Sequence, residues 1–363
     1  MGKPDMPLFV LSLVIILLGV LLVYSTSTTV GRKYYDNTDA FLLRQALAAF
    51  LGIAALVGLV FVPYARVRDN TFPVVAGIFI LLILVLVPGI GRIANNARRW
   101  IGFGPFQLQP SELAKLGVII YLSMIMSKKR AEGVVAALRG FVPPLIIIVC
   151  MAVLVYLEPD FSTAVFILAL GLVMFLMGGV PAGHIFGMIL AAIPFVLVLV
   201  FSHEYMKSRL FAHLDPLTDA SNKGYQIVQS LLSFQNGGAF GKGIGHGVQK
   251  MGPLPESHTD FVLAAQAEEI GAVGITLLLL LVLTVVWRIF RVAVRAGDDF
   301  SRLFCYGVAM MIGWQALVNA AMVTGLLPTT GLPFPFFSYG GSSLLMLCMS
   351  LGIVLNISRY RTS

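Results

Sequence analysis

Apolar runs long enough to cross a lipid bilayer recur from one end of this sequence to the other. The first of them, PLFVLSLVIILLGVLLVYS at positions 7–25, is typical. Roughly 17 to 25 apolar residues span the hydrocarbon core as a helix, and only helices or closed barrels satisfy their backbone groups there. Charged residues make up 12% of the chain, against roughly 25% in soluble domains. The sequence therefore predicts an all-α, polytopic membrane protein.

Ten transmembrane helices are predicted, and their even number places both termini on the same side of the membrane. The predicted spans are 7–26, 41–64, 73–90, 108–126, 140–157, 161–178, 184–202, 265–288, 303–325 and 342–358. Lys and Arg are more frequent in the segments on the terminal side, which by the positive-inside rule predicts cytoplasmic termini in the cell membrane. The first run is too long for the apolar part of a signal peptide and is expected to remain as a helix.

The whole chain, 1–363, is predicted to be one integral membrane domain, with a large extracytoplasmic loop at about 203–264. That loop keeps apolar pieces such as YQIVQSLLSF, which argue against disorder. The net charge of +8 does not indicate a nucleic-acid partner, because the basic residues are scattered among loops. Topology and anionic membrane lipids account for them better. The three cysteines lie in apolar runs without metal-ligand spacing and are expected in the core.

Two oppositely charged residues, Glu112 and Lys115, lie three apart in QPSELAKL, where they can meet on one helix face. They form either a neutralised pair that lets the helix carry polar groups or a charge pair that shapes a cavity. Arg44 also falls inside a predicted helix, and snorkelling to the interface is its simpler interpretation.

The motif LEPDFST at 157–163 places Glu158 and Asp160 in a short outward turn. These residues either cap and terminate helices, or Asp160 points into the same cavity as Asp260. The run GGAFGKGIG at 237–245 does not match the phosphate-binding loop G-x-x-x-x-G-K-[ST]. With Lys242 and Lys250, its glycines are instead predicted to offer a flexible basic cradle for a diphosphate.

Two carboxylates and a histidine, Glu256, His258 and Asp260, stand within five residues in LPESHTDF at 254–261. One interpretation is a polar loop that caps the next helix through Thr259 or Asp260. The other is a general base at the rim of a cavity, where desolvation raises the pKa of a carboxylate. All three side chains qualify on chemistry, and no metal-binding signature combines them.

Five motifs in this order and spacing resemble the SEDS family, whose members include FtsW, RodA and SpoVE. They are NNARRWIGFGPFQLQPSELAKL, LEPDFST, GYQIVQS, GKGIGHGVQKMGPLPESHTDF and GLLPTTGLPFPFFSYGGSSLL. The resemblance covers about residues 10–358. The motifs ARRW and LPTTGLP resemble those of FtsW and SpoVE more than those of RodA.

The resemblance implies a peptidoglycan glycosyltransferase that polymerises lipid II outside the cytoplasmic membrane beside a class B penicillin-binding protein. The family's essential aspartate matches Asp260, its charge pair matches Glu112 and Lys115, and its PD aspartate matches Asp160. Asp260 is expected to deprotonate the acceptor hydroxyl. Cationic help for the diphosphate leaving group is expected from Arg98, Arg99, Lys242, Lys250 or a bound divalent cation, the cofactor being otherwise unknown. The rival interpretation is a lipid II flippase, with Glu112, Lys115 and Arg44 along its path, and a third is a scaffold for the penicillin-binding protein.

Overall fold

The structure is a computed structural model that describes residues 2–35, 38–94, 97–103, 106–133, 138–202, 204–216 and 223–360. Its helices, in chain order, are α1 (Met6–Tyr35), α2 (Ala40–Phe61), α3 (Tyr64–Asp69), α4 (Thr71–Leu86), α5 (Pro110–Ala131), α6 (Leu138–Leu157), α7 (Phe161–Met177), α8 (Ala182–Ser202), α9 (Glu204–Leu214), α10 (Lys223–Gly237), α11 (Val262–Val294), α12 (Asp299–Val323) and α13 (Gly341–Ile357). Three short strands, β1 (Gly91–Ala94), β2 (Ala97–Phe103) and β3 (Phe106–Leu108), lie between α4 and α5.

The predicted membrane helices are all present. Within the described ranges, 7 helices are long and apolar enough to cross a membrane, and three shorter apolar stretches, α4, α7 and Ala182–Pro194 of α8, occupy the remaining predicted spans. Large apolar side chains such as Phe50, Phe61 and Leu283 are exposed on the helix surfaces, as expected where lipid is the solvent. The prediction of an all-α, multi-pass membrane protein is confirmed.

The centre of the bundle is α5, which packs against α4, α7 and α12, while α13 packs along α2. In the apolar segment of α5, 78% of the residues are buried, whereas in that of α11 the buried share is 28%. A helix enclosed by protein can carry polar groups that lipid would not tolerate. This is where the predicted charge pair lies. Cys305 and Cys348 are buried as expected, but Cys150 is exposed on α6, so its assignment to the core was wrong.

A small antiparallel sheet, in the order β1-β2-β3, was not predicted. A bulge between Arg92 and Ile93 interrupts its first pairing. Arg98 on β2 donates to the backbone carbonyl of Leu86 at 3.1 Å, which attaches the sheet to the end of α4. The neighbouring Arg99 extends to the α6–α7 turn, so the sheet brings a cation to the turn that carries Asp160.

The stretch between α8 and α11 contains α9 and α10, and its glycine-rich segment docks on an interruption in α11. Gly271 has φ 68 and ψ −178 and breaks the helix. Residues 238–243 supply hydrogen-bond partners for the helix backbone on both sides of this break. The carbonyls of Gly238 and Ala239 accept from the amides of residues 272 and 273, and the amides of residues 242 and 243 donate to the carbonyls of residues 268 and 269. A Cβ at Gly271 would lie 2.4 Å from the Ala239 carbonyl oxygen, so only glycine fits there.

Candidate active site

Asp260 lies in the last turn before α11, and part of its surface stays accessible. The amides of Thr259 and Phe261 both donate to the carbonyl of Glu256, which closes the turn. The residue at the N-cap of α11 is Phe261, without a side-chain cap, so the prediction that Thr259 or Asp260 caps this helix was wrong. The Asp260 carboxylate is therefore not occupied by the helix end.

The charges around Asp260 set its acidity. The pKa of the Asp260 carboxyl is raised to about 7, because burial, Glu256 and Asp160 raise it by more than Arg209 and Arg99 lower it. These opposing influences place two carboxylates and two guanidinium groups within electrostatic range of Asp260. A carboxyl that titrates near neutral pH can both accept and release a proton under physiological conditions.

The other two candidates in the motif have different surroundings. The His258 ring packs against Phe41 at 5.0 Å and Tyr339 at 5.9 Å between centroids. Burial lowers the pKa of His258, against an opposing influence of Glu256, so the ring is neutral at pH 7. Glu256 is exposed, and its carboxylate accepts from the Thr259 hydroxyl at 2.8 Å. Asp260 combines partial access with a pKa near neutrality.

Asp160 caps a helix, as the first interpretation of its motif predicted. It occupies the N-cap of α7, where its side chain accepts from the Thr163 amide at 3.3 Å, and it also accepts from the Gln109 side chain at 3.3 Å. Its charge acts on Asp260, so it belongs to the same polar region. Arg99 donates to the carbonyls of Glu158 and Pro159 and so fixes the turn that presents Asp160.

Glu158 is fully buried, and neither of its carboxylate oxygens has a hydrogen-bond partner in the described structure. The pKa of Glu158 is raised to about 9, because burial and the charge of Asp160 raise it by more than Arg99 lowers it. The side chain is therefore a neutral acid at pH 7. Although it lies close to Asp160 in the sequence, it adds no second negative charge to the polar region.

Replacing Glu158 with glutamine is expected to stabilise the protein at alkaline pH. Above pH 4.5 the unfolded chain releases this proton while the folded protein keeps it up to about pH 9, so the wild type loses stability as the pH rises. The loss amounts to at most about 3 kcal/mol at pH 7. Thermal unfolding in detergent at pH 5 and pH 8 measures it: Glu158→Gln should exceed the wild type at pH 8 and approach it at pH 5. The prediction is contradicted if the wild type and Glu158→Gln lose stability equally between pH 5 and pH 8. It is also contradicted if the stability of Glu158→Gln depends on pH in the same way as that of Glu132→Gln, an exposed control.

Glu112 and Lys115 form an ion pair of 2.9 Å on α5, with side-chain exposures of 4% and 0%. The Lys115 ammonium also donates to Gln315 Oε1 at 3.2 Å and lies 5.6 Å from the centre of the Phe166 ring. The pair is thus enclosed by α5, α7 and α12. It is neutralised, and its cation is shared with a polar side chain of α12.

Lys242 and Lys250 are engaged in ion pairs rather than facing an open cradle. Lys242 lies 2.8 Å from Glu268, and the buried Lys250 pairs with Glu269. The Lys250 ammonium also donates to the carbonyl of Ser25 at 2.8 Å. These lysines attach the stretch between α8 and α11 to α1 and α11, and this geometry gives the predicted diphosphate cradle no support.

Three residues of the site were not identified from the sequence as functional. Arg209 on α9 acts electrostatically on Asp260, but nothing in the sequence distinguishes it from the other basic residues of the long loop. Gln315 and Asn319 lie four residues apart on the apolar helix α12 and are both fully buried. That spacing places two amides on one helix face, which is a signal that could have identified them.

Comparison with known proteins places the chain in one family. The family described as cell cycle proteins, which comprises FtsW, RodA and SpoVE, matches residues 5–363. A probable peptidoglycan glycosyltransferase FtsW of Geobacter metallireducens is 39% identical over 98% of this chain and 94% of its own. Stage V sporulation protein E of Bacillus subtilis is 37% identical over 99% and 98% of the two chains.

Solved structures agree with this assignment. A chain from a peptidoglycan synthase complex, described as coordinating polymerization and crosslinking, superposes with a TM-score of 0.79 at 31% identity over 98% of both chains. The rod shape determining protein RodA of Thermus thermophilus gives a TM-score of 0.73 at 29% identity over 99% of this chain and 98% of that one. The resemblance deduced from the motifs is confirmed, including its closeness to FtsW and SpoVE. This chain belongs to the SEDS family, the FtsW, RodA and SpoVE family of cell cycle proteins.

Proposed function

We propose that the protein is a peptidoglycan glycosyltransferase that polymerises lipid II into glycan strands at the outer face of the cytoplasmic membrane. Relatives that match it end to end carry the name peptidoglycan glycosyltransferase. The observation that carries the proposal is Asp260, a partly accessible residue whose carboxyl has a pKa of about 7 among charges of both signs. A glycosyl transfer to a hydroxyl requires a general base of this kind.

In the proposed reaction, the Asp260 carboxylate accepts the proton of the acceptor sugar hydroxyl. The oxygen forms a bond to the anomeric carbon of the donor, and the bond from that carbon to the diphosphate breaks. Undecaprenyl diphosphate leaves with the electron pair from the opposite face, which inverts the anomeric centre. The proton on Asp260 then passes to solvent.

The negative charge that develops on the diphosphate requires positive groups placed in advance. Arg99 and Arg209 support this role best, because both act on Asp260. Arg98, also predicted for it, is not among the charges that act on Asp260, and it donates to the Leu86 carbonyl at the end of α4. A divalent cation stays a prediction.

The proposal treats residues 1–363 as one membrane domain with cytoplasmic termini and with 203–264 outside, which places Asp260 on the outer face. The partner proposed is a class B penicillin-binding protein, which would crosslink the strands. A structural neighbour comes from a complex described as coordinating polymerization with crosslinking, which supports this pairing.

The direct test is lipid II polymerisation by the purified protein with a class B penicillin-binding protein whose transpeptidase serine is replaced. Glycan polymer on a gel is the expected result. The same preparation in liposomes, with fluorescent lipid II, reports transbilayer movement. Movement of lipid II without any polymer overturns the proposal in favour of the flippase.

Polymerisation is expected to rise with pH and level off above about pH 7, because Asp260 must lose its proton to act as base. Initial rates at low lipid II concentration between pH 5.5 and 8.5 give the midpoint. Glu256→Gln should lower that midpoint, since Glu256 raises the pKa of Asp260, whereas Asp69→Asn, on the terminal face, should not. A midpoint unmoved by Glu256→Gln contradicts the assignment of the base.

A further inference from the structure

The backbone of Asp260 is held by a buried amide of α12. Asn319 is fully buried, and its side-chain nitrogen donates to the carbonyls of Asp260 and Leu332, each at 2.8 Å. An amide nitrogen has two N–H groups, and both are used here. Asn319 therefore joins the turn that carries Asp260 to the segment that follows α12.

One turn earlier, Gln315 binds the same segment. Its side-chain nitrogen donates to the Pro333 carbonyl at 2.8 Å, and its oxygen accepts from the Lys115 ammonium at 3.2 Å. Because an ammonium can only donate, Lys115 requires the oxygen of Gln315 to face it. The amide nitrogen must then face Pro333.

The segment 332–339 is in turn bonded to the turn of Asp260. The Ser338 hydroxyl donates to the Thr259 carbonyl at 2.6 Å, and the Tyr339 amide donates to the His258 carbonyl at 2.8 Å. Three successive carbonyls, at 258, 259 and 260, are thus each held by a separate donor. The turn has little freedom to move the Asp260 side chain.

We propose that Asn319 and Gln315 are positioning residues, which fix the Asp260 backbone and its neighbouring wall, and that the Glu112–Lys115 pair acts through Gln315. This inference rests on the proposed function, since it assigns a role within that reaction. The intramembrane charge pair thereby contributes to the reaction, because Glu112 holds Lys115, Lys115 orients Gln315, and Gln315 holds the wall at Pro333. A displacement of about 1 Å at a reacting group can cost roughly a hundredfold in rate.

The test compares Asn319→Ala with a matched variant, Asn356→Ala, in lipid II polymerisation. Asn356 is also a buried asparagine, and it donates to the Val60 carbonyl at 2.7 Å and accepts from the Tyr64 amide at 2.9 Å. It lies at the opposite end of the bundle, near the chain termini. Both variants lose comparable buried hydrogen bonds, so a general loss of stability affects them alike.

For Asn319→Ala we expect kcat to fall about 10- to 100-fold, with KM for lipid II within about twofold. We also expect the midpoint of the pH–rate profile to move down, because a loosened turn admits water to the Asp260 carboxylate. Asn356→Ala should keep the wild-type kcat and midpoint. Equal kcat losses in the two variants, or a loss confined to KM, overturns the inference.

Gln315→Ala is the second test, and it decides the matter if Asn319→Ala is not recovered as folded protein. A fall in kcat with a lowered pH midpoint supports the inference, and a kcat within about twofold of Asn356→Ala overturns it. Wild type and Asp260→Asn are run alongside. An inactive wild type, or an active Asp260→Asn, shows that the proposed function has failed rather than the positioning role.

Discussion

Lipid II polymerisation should fall by about a hundredfold or more when Asp260 is replaced with asparagine. The substitution keeps the size of the side chain and removes its negative charge and its ability to take a proton. General bases contribute roughly 10²- to 10⁴-fold to enzymatic rates, and the Asp260 carboxyl has a pKa of about 7. Binding of lipid II should change little, because the surrounding cations remain. Gel-resolved polymer from equal amounts of folded protein measures the effect.

The matched control for that substitution is Asp69→Asn, which removes the same charge from an exposed surface pair. It should polymerise like the wild type. Asp260→Asn is expected to elute as a single species and to unfold near the wild-type temperature. The reason is that the buried charge of Asp260, which the variant lacks, does not stabilise the folded protein. An Asp260→Asn protein with more than about a tenth of wild-type activity contradicts the role of Asp260 as base.

Replacement of Lys115 with methionine should nearly abolish recovery of folded protein. Glu112 would be left as an unneutralised charge inside the bundle, with 4% of its side chain exposed. Removing one partner of a buried pair costs about 3 to 5 kcal/mol, a large fraction of the roughly 5 to 15 kcal/mol that stabilise a typical fold. The yield of monodisperse protein after membrane extraction and its unfolding temperature measure this loss.

The double variant Lys115→Met with Glu112→Gln should restore much of the folded yield, because no charge is then left alone. The exposed pair between Lys129 and Glu132, separated by 3.7 Å, gives the control: Lys129→Met should cost less than about 1 kcal/mol. If Lys115→Met alone folds as well as the double variant, the charge on Glu112 is not a source of instability. A double variant that folds but polymerises slowly agrees with the positioning role of Gln315.

The membrane helices could be predicted from the sequence because each is defined by residues adjacent in the chain. The run near residue 7 and the runs around α12 and α13 needed only length and apolar content. The sheet at Gly91–Leu108 was missed because strands of 3 to 7 residues leave a weak periodic signal.

The site was predictable to a smaller extent. Asp260, Asp160 and the charge pair were chosen by motif and resemblance, and the structure brings Asp160 within electrostatic range of Asp260. The partners of Lys242 and Lys250 were not predictable: Glu268 and Glu269 were expected only as early residues of a helix, yet they neutralise both lysines. Which charges cancel is decided by contacts between residues distant in sequence, and one sequence does not contain that information.

The break in α11 couples that helix mechanically to residues 238–243. Four backbone hydrogen bonds join 238–243 to the helix on either side of Gly271, and the segment follows α10 directly. At a membrane boundary, water can replace those bonds only in part, and each is worth about 0.5 to 1.5 kcal/mol net. These bonds therefore hold residues 238–243, and α10 before them, firmly to α11. A force applied to α10 would reach α11 at residues 268–273, beyond the first turn of that helix.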